Sequence, residues 1–176
     1  MSKKNPNSYL SSTLLLSCVA LLASCQLLSE TPRAVSVLQA KSGSNIQGSI
    51  SFTQSGNNVL VTGTFSGLTP NSEQGIHIHE FGDCSALDAA SAGGHYNPNS
   101  LKHGKHDSFS SHAGDMPNLK VDANGNSYYQ ASLNHVSLVG EQNILGKSVV
   151  VHRNKDDYVT QPAGNSGERI GCGIIR

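Results

Sequence analysis

The chain has 176 residues, with twelve basic and twelve acidic side chains and a formal net charge of zero. This length is enough for one domain of ordinary size, and the neutral charge gives no reason to expect nucleic acid or an acidic polymer as a partner. Aromatic residues make up 5% of the chain and 18 residues are glycine, a composition that favours short strands and turns over long helices.

The first residues are typical of an export signal. Lys3 and Lys4 precede a mostly apolar stretch over residues 10–22, which suits a secretory signal and is short for a membrane span of about 20 residues. It ends in Leu22-Ala23-Ser24-Cys25, which resembles the lipobox at which bacterial lipoproteins are cleaved and then acylated on the cysteine.

The lipobox predicts three parts: a lipoprotein signal peptide over 1–24, a short tether from lipidated Cys25 over 25–33, and a folded domain over 34–176. Leu16-Ser17-Cys18 is a poorer lipobox candidate. A signal peptide without lipidation and an uncleaved anchor over residues 10–28 are the alternatives.

Alternating apolar and polar residues predict an all-β domain beyond the tether. Segments 34–38, 46–52 and 59–65 predict a meander, and 75–81 predicts a fourth strand. A hairpin is expected over 118–121 and 127–133 around Asn124-Gly125, followed by strands over 147–152 and 169–175. No segment has the periodicity of a confident helix.

Two segments lack apolar periodicity. The first, Gly82 to Pro117, is 36 residues long, and so long a loop inside a compact domain is typically functional and held by something other than a core. The second, Arg153 to Glu168, is shorter and polar.

The four cysteines divide between lipid and disulfide. If Cys18 leaves with the signal peptide and Cys25 carries lipid, Cys84 and Cys172 remain as an even pair in an exported protein. We expect them to be bridged, which ties the long loop to the last strand.

The histidines predict two adjacent metal sites. His77 and His79 project from the same face of a strand because side chains alternate. His103, His112 and Asp115 follow His95 at spacings of eight, nine and three residues. With His95 and His152, His77 and His79 make a set of four imidazoles, which suits Cu(II). Three imidazoles with one carboxylate, as in the second cluster, suit tetrahedral Zn(II). His106 and His135 match neither set and are expected to be bystanders.

Six motifs resemble the copper/zinc superoxide dismutases over nearly all of the chain from about Val35 to Arg176. They are His77-Ile78-His79-Glu80-Phe81-Gly82-Asp83, Ser91-Ala92-Gly93-Gly94-His95-Tyr96-Asn97-Pro98, Lys102-His103-Gly104, His112-Ala113-Gly114-Asp115, Val149-Val150-Val151-His152, and Gly164-Asn165-Ser166-Gly167-Glu168-Arg169-Ile170-Gly171-Cys172-Gly173. The resemblance implies an eight-stranded Greek-key β-barrel or sandwich of immunoglobulin-like architecture.

The resemblance also implies the cofactors and their ligands. Copper is assigned to His77, His79, His95 and His152, and zinc to His95, His103, His112 and Asp115. Asp156 is expected to accept hydrogen bonds from His77 and His103, which orients both rings.

The implied activity is dismutation of superoxide to dioxygen and hydrogen peroxide by a redox-cycling copper. His95 is expected to bridge the metals and donate a proton, and Arg169 to attract superoxide. The second loop lacks the charged run that guides substrate in eukaryotic members, so help from Lys102, Lys105 or Lys155 stays open.

The remaining expectations concern partners and location. The substrate is a small anion, the membrane is reached through a lipid anchor on the periplasmic face of a bacterial envelope, and monomer and homodimer are both open. A soluble periplasmic or secreted protein is the alternative location. The rival function is a non-enzymatic envelope lipoprotein that buffers copper and zinc, which has no need of Arg169.

Overall fold

The computed structural model describes Met1 and residues 30–176, so the predicted signal peptide and Cys25 lie outside the described residues. The described chain contains ten strands and one 3-10 turn over Ala90–Ala92. The strands are β1 (Arg33–Val37), β2 (Gln39–Ala40), β3 (Gln47–Ser55), β4 (Asn58–Ser66), β5 (Glu73–Gln74), β6 (Ile76–His79), β7 (Leu119–Lys120), β8 (Ser127–Leu133), β9 (Ser148–His152) and β10 (Arg169–Ile174).

Two four-stranded antiparallel sheets form the barrel, and β5 and β7 pair in a separate two-stranded sheet. One has the order β1-β3-β4-β8 and the other β2-β10-β9-β6. The chain passes from one sheet to the other at Leu38, between β1 and β2. Val35 and Arg176 exchange two backbone hydrogen bonds of 2.8 and 3.0 Å, which close the domain along that edge. The predicted all-β barrel or sandwich of eight strands is therefore confirmed.

The core lies between the sheets and follows the alternation in the sequence. β4 alternates exposed and buried residues along its length, and Val59, Val61 and Phe65 face inward with Ile50 and Phe52 of β3. The predicted meander β1-β3-β4 is also confirmed by the pairing.

β9 differs because all five of its residues are buried. Val149 and Val151 face the core, while Val150 packs on the opposite side against Cys84, Ala89 and Cys172. A strand covered on both faces reads as an unbroken apolar run, as this one does.

The predicted hairpin over 118–121 and 127–133 is wrong. β7 pairs with β5, and β8 pairs with β4 over Val59 to Phe65. The turn between them does form, with Asp122 Oδ1 accepting from the backbone N–H groups of Asn124 and Asn126. The local turn signal was correct and the pairing partner was not.

The two irregular segments are loops, and the longer one covers the edge of β6. Among residues 30–176, no helix is long and apolar enough to span a membrane.

Candidate metal centre

The strand β6 positions the first two candidate ligands. Ile76 and Ile78 point into the core, so His77 and His79 share the opposite face, and all four residues are buried beneath the long loop. The loop returns to this strand twice. Isolated antiparallel bridges join His79 to His95 and His77 to Asp115, which bring the second half of the site to the first.

Close backbone approach makes these bridges fit. Ile78 donates its N–H to the Gly114 carbonyl at 2.9 Å and accepts from the Tyr96 N–H at 2.8 Å. A Cβ on Gly114 would lie 2.2 Å from the Ile78 carbonyl oxygen, so only glycine fits there. The unpaired edge of β6 is thereby covered.

The first ligand set consists of His77, His79, His95 and His152, whose candidate ligand atoms all lie within 4.8 Å of one another. Each has one buried ring nitrogen without a hydrogen-bond partner among the described residues: Nδ1 of His77 and Nε2 of the other three. Buried polar atoms are normally paired, so four unpaired nitrogens in one place are typical of a metal-binding site.

The second nitrogens of these rings fix the tautomers. His79 Nδ1 donates to the Gly93 carbonyl at 3.0 Å and His152 Nδ1 to the Gly167 carbonyl at 3.2 Å. His77 Nε2 donates to Asp156 at 2.9 Å. Each hydrogen bond leaves a lone pair on the nitrogen that faces the other rings, the arrangement typical of metal-binding histidines. Four such imidazole nitrogens fit copper.

The second ligand set surrounds Asp115. Its Oδ1 lies 2.8 Å from His95 Nδ1, 2.9 Å from His103 Nδ1 and 3.3 Å from His112 Nδ1. The Nδ1 atoms of His95 and His112 are 3.4 Å apart. A tetrahedral zinc ion with ligands about 2.0 to 2.1 Å away separates neighbouring ligand atoms by about 3.3 Å, so this set fits zinc.

The other oxygen of Asp115 holds the carboxylate in place. Oδ2 accepts the backbone N–H groups of Gly104 and His112, both at 3.0 Å. His95 belongs to both sets, with Nδ1 facing Asp115 and Nε2 facing the first set.

Asp156 joins the two sets from the side of the second loop. Its Oδ2 lies 2.9 Å from His77 Nε2 and its Oδ1 lies 2.9 Å from His103 Nε2, and the side chain is fully buried. One carboxylate therefore orients a ring in each set.

Burial and these contacts shift the proton affinities of the metal-free site. Burial, aided by the charge of His77, lowers the pKa of His95 to about 3. Burial also holds the pKa values of His79 and His152 well below their usual range. For His103, burial lowers the pKa, but hydrogen bonds to Asp115 and Asp156 outweigh it and raise the pKa to about 9.

Arg169 lies beside the first set. It pairs with His152 across β9 and β10, it is half-buried, and its Nη1 donates to the Ala89 carbonyl at 2.8 Å. Its charge is among the causes that lower the pKa values of His79 and His152. Two of the three lysines left open have acidic partners: Lys105 contacts Asp107 at 3.0 Å and Lys155 contacts Glu73.

The predicted disulfide between Cys84 and Cys172 is present and spans a sequence separation of 88. It packs against Ala89, whose carbonyl holds Arg169. The bridge therefore joins the long loop to the last strand and packs against the residue whose carbonyl holds the guanidinium.

Several contacts of the site have no signal in the sequence. Lys41 is buried and its Nζ donates to the Cys84 carbonyl. Asn118 and Gln161 make paired hydrogen bonds to Asp156 and His103. Amide side chains that bind backbone leave no spacing pattern. His106 and His135 belong to neither ligand set.

Fold and site together define a β-barrel metalloprotein with two adjacent ligand sets that share one imidazole. The family model for copper/zinc superoxide dismutase matches residues 46–175. The chain belongs to the copper/zinc superoxide dismutase family.

Relatives agree with this assignment. "Superoxide dismutase [Cu-Zn] 2" of Aquifex aeolicus is 42% identical over 134 residues, covering 73% of this chain and 78% of the relative. The "Extracellular superoxide dismutase [Cu-Zn]" of Brugia pahangi is 36% identical over 157 residues, covering 84% and 77%. The crystal structure of the clock protein EA4 superimposes with a TM-score of 0.76 at 37% identity, covering 84% of this chain and 95% of that one.

Proposed function

We propose that this protein dismutates superoxide, converting two superoxide ions and two protons into dioxygen and hydrogen peroxide. The observation that carries the proposal is the group of four buried, unpaired ring nitrogens beside a second ligand set that shares His95. Family membership supports the same reaction.

The donor sets fit copper in the first position and zinc in the second. Copper held by His77, His79, His95 and His152 supplies one-electron redox chemistry, while zinc held by His95, His103, His112 and Asp115 supplies charge without changing oxidation state.

The chain's own residues prepare this site. Asp156 and the carbonyls of Gly93 and Gly167 fix ring orientation by accepting N–H donors. His95 Nε2 is the atom at which the chain can hold a proton next to the substrate, because Nδ1 of the same ring remains directed at Asp115. Arg169 supplies a positive charge for an anionic substrate.

The test is superoxide removal by purified protein loaded with copper and zinc, with metal content measured in the same sample. We expect fast removal that disappears when copper is withheld. Protein that holds both metals and removes no superoxide overturns the proposal in favour of copper and zinc buffering.

Sedimentation of the same sample decides between monomer and homodimer.

We further propose that the protein is exported and held at the bacterial envelope by lipid on Cys25. The disulfide fits an oxidising compartment, and Leu22-Ala23-Ser24-Cys25 follows an apolar stretch. The first strand begins at Arg33, eight positions after Cys25, a reach of at most roughly 30 Å, so the domain would sit close to the membrane.

Cys25→Ser should release the protein from the membrane fraction without changing its activity in solution. A variant that stays in the membrane fraction to the same extent as the unaltered protein rules out this anchor.

A further inference from the structure

The second loop contains a tight turn over 157–164 that lies against the metal centre. The Asp157 carboxylate builds it, with Oδ1 accepting the N–H groups of Val159 and Thr160 at 2.9 and 2.8 Å. Asp157 N–H donates to the Gly164 carbonyl at 2.9 Å and Gly164 N–H to the Thr160 carbonyl at 2.7 Å. These bonds hold the turn without any apolar core.

Gly164 brings the turn into contact with the site. Its φ is +65°, and a Cβ there would lie 1.7 Å from Asp156 Oδ1 and 2.7 Å from His103 Nε2. The backbone of the turn therefore rests directly on the hydrogen bond between Asp156 and His103.

Gln161, within the same turn, binds the backbone of His103 with both ends of its amide. Its Oε1 accepts the His103 N–H at 2.8 Å, and its Nε2 donates to the His103 carbonyl at 2.9 Å. Among the described residues, no backbone group bonds to these two atoms. The buried His103 therefore depends on Gln161 to pair its main chain.

Asn118 binds the backbone of Asp156 as Gln161 binds that of His103, again with both ends of its amide. Its Nδ2 donates to the Asp156 carbonyl and its Oδ1 accepts the Asp156 N–H, both at 2.9 Å. The 2.9 Å contact between His103 Nε2 and Asp156 Oδ1 thus joins two residues that are each clamped by an amide from another segment.

We propose that Gln161 is a positioning residue for the metal centre, which locks His103 in place and links the two loops around Asp156. This inference rests on the proposed function, since it assigns His103 to zinc. Gln161 is exposed, so its role is not evident from burial. Partners that orient metal ligands typically contribute about 10- to 100-fold to metal affinity.

The test compares Gln161→Leu with Gln54→Leu. Gln54 is a matched control because its Oε1 also pairs a distant backbone, that of Leu138, at 2.8 Å, and it contacts no ligand residue. Zinc affinity is measured by competition with a chromophoric chelator, and the visible spectrum of cobalt(II) in the zinc position reports ligand geometry. The free energy of unfolding of both variants is also measured in urea without metal.

We expect Gln161→Leu to weaken zinc binding by about 10-fold or more and to alter the cobalt spectrum. Gln54→Leu should lower the free energy of unfolding and leave zinc affinity and the cobalt spectrum unchanged. Gln161→Asn, which keeps the amide but shortens its reach, should lie between the unaltered protein and Gln161→Leu. Equal zinc affinity in the folded Gln161 variants and the unaltered protein, or equal losses in Gln161→Leu and Gln54→Leu, overturns the inference.

These measurements involve no superoxide. Unaltered protein that binds both metals without removing superoxide would refute the proposed function while leaving the zinc comparison intact.

Discussion

At the residue scale, the ligand sets are defined by the hydrogen bonds on the outer nitrogens of their rings. His77 exposes Nδ1 to the first set because its Nε2 bonds to Asp156, whereas His79 and His152 expose Nε2 because their Nδ1 atoms bond to carbonyls. The tautomer of each ring is thus fixed by a neighbour that does not itself face the metal.

The two sets share only His95, so single substitutions should separate the metals. His152→Ala removes a candidate copper ligand and should abolish superoxide removal while zinc remains bound. His112→Ala should lose zinc first and loosen the long loop. Elemental analysis of both purified variants provides the measurement, and equal loss of both metals in both variants would contradict the division.

The metal-free protein should lose stability as the pH falls below about 6.5. The folded-state pKa values of His77, His79, His95 and His152 are lowered, chiefly by burial, while the unfolded chain takes up protons near the ordinary value of about 6.5. The unfolded state therefore binds more protons in this window, and stability decreases with each step toward acid.

His103 has the opposite sign, since its pKa is raised to about 9. Its contribution is present below about 6.5 and is lost as the pH rises through 9, so it acts in a pH window above that of the other four histidines. Below pH 6.5, each of the four histidines that stays neutral in the folded protein should lower Tm by about 3 °C per pH unit. Thermal unfolding of chelator-treated protein from pH 8 to pH 5 measures this, and a flat Tm would refute it.

The candidate ligand residues and Asp156 could be predicted from spacing and from the family resemblance, but the other groups that hold the rings could not. Carbonyls of Gly93 and Gly167 and the amides of Asn118 and Gln161 act through backbone geometry. Such contacts depend on where two distant segments meet, which the local sequence does not encode.

At the element scale, the alternation of apolar and polar residues predicted the positions of strands with one solvated face. It did not predict which strands pair with each other. β3 and β4 were predictable because one face is buried. The partner of β7 was not, because a turn at Asp122 is compatible with strands that separate into different sheets. The long loop was recognisable by its lack of periodicity, and its contacts with β6 explain how it is held.

The disulfide should stabilise the long loop and, through it, Arg169. In the chain-entropy model, a bridge across a separation of 88 contributes up to about 4.5 kcal/mol. The double variant Cys84→Ser/Cys172→Ser should unfold about 5 to 15 °C lower. Its activity should fall more than its copper content, because the Ala89 carbonyl that holds Arg169 packs on the bridge.

Thermal unfolding and copper analysis with and without reductant measure this effect. Reductant should lower the Tm of the unaltered protein and leave the double variant unchanged. Equal Tm values for the oxidised and the fully reduced unaltered protein would show that the bridge does not stabilise the fold.

At the scale of the whole molecule, charge is balanced globally and concentrated locally. The full chain has twelve basic and twelve acidic residues, and loss of Lys3 and Lys4 with a signal peptide would leave ten and twelve, a net charge of minus two. A slightly anionic protein does not attract superoxide by its total charge, so capture depends on the field near the first ligand set.

Arg169 is the cation that the structure places beside that set, and its substitution should change both the rate and its salt dependence. Local steering typically raises association by about 10- to 1,000-fold and weakens as salt screens the field. Arg169→Glu should therefore lower the second-order rate strongly with both metals bound. Lys105→Glu makes the same charge change at an exposed lysine paired with Asp107, and should lower the rate less.

Rates are measured across a range of ionic strengths for the three proteins. The unaltered protein and Lys105→Glu should slow as salt increases, whereas the dependence should weaken or invert in Arg169→Glu because screening then reduces a repulsion. A salt-independent rate in the unaltered protein, or an undiminished rate in fully copper-loaded Arg169→Glu, would mean that substrate capture does not depend on this arginine.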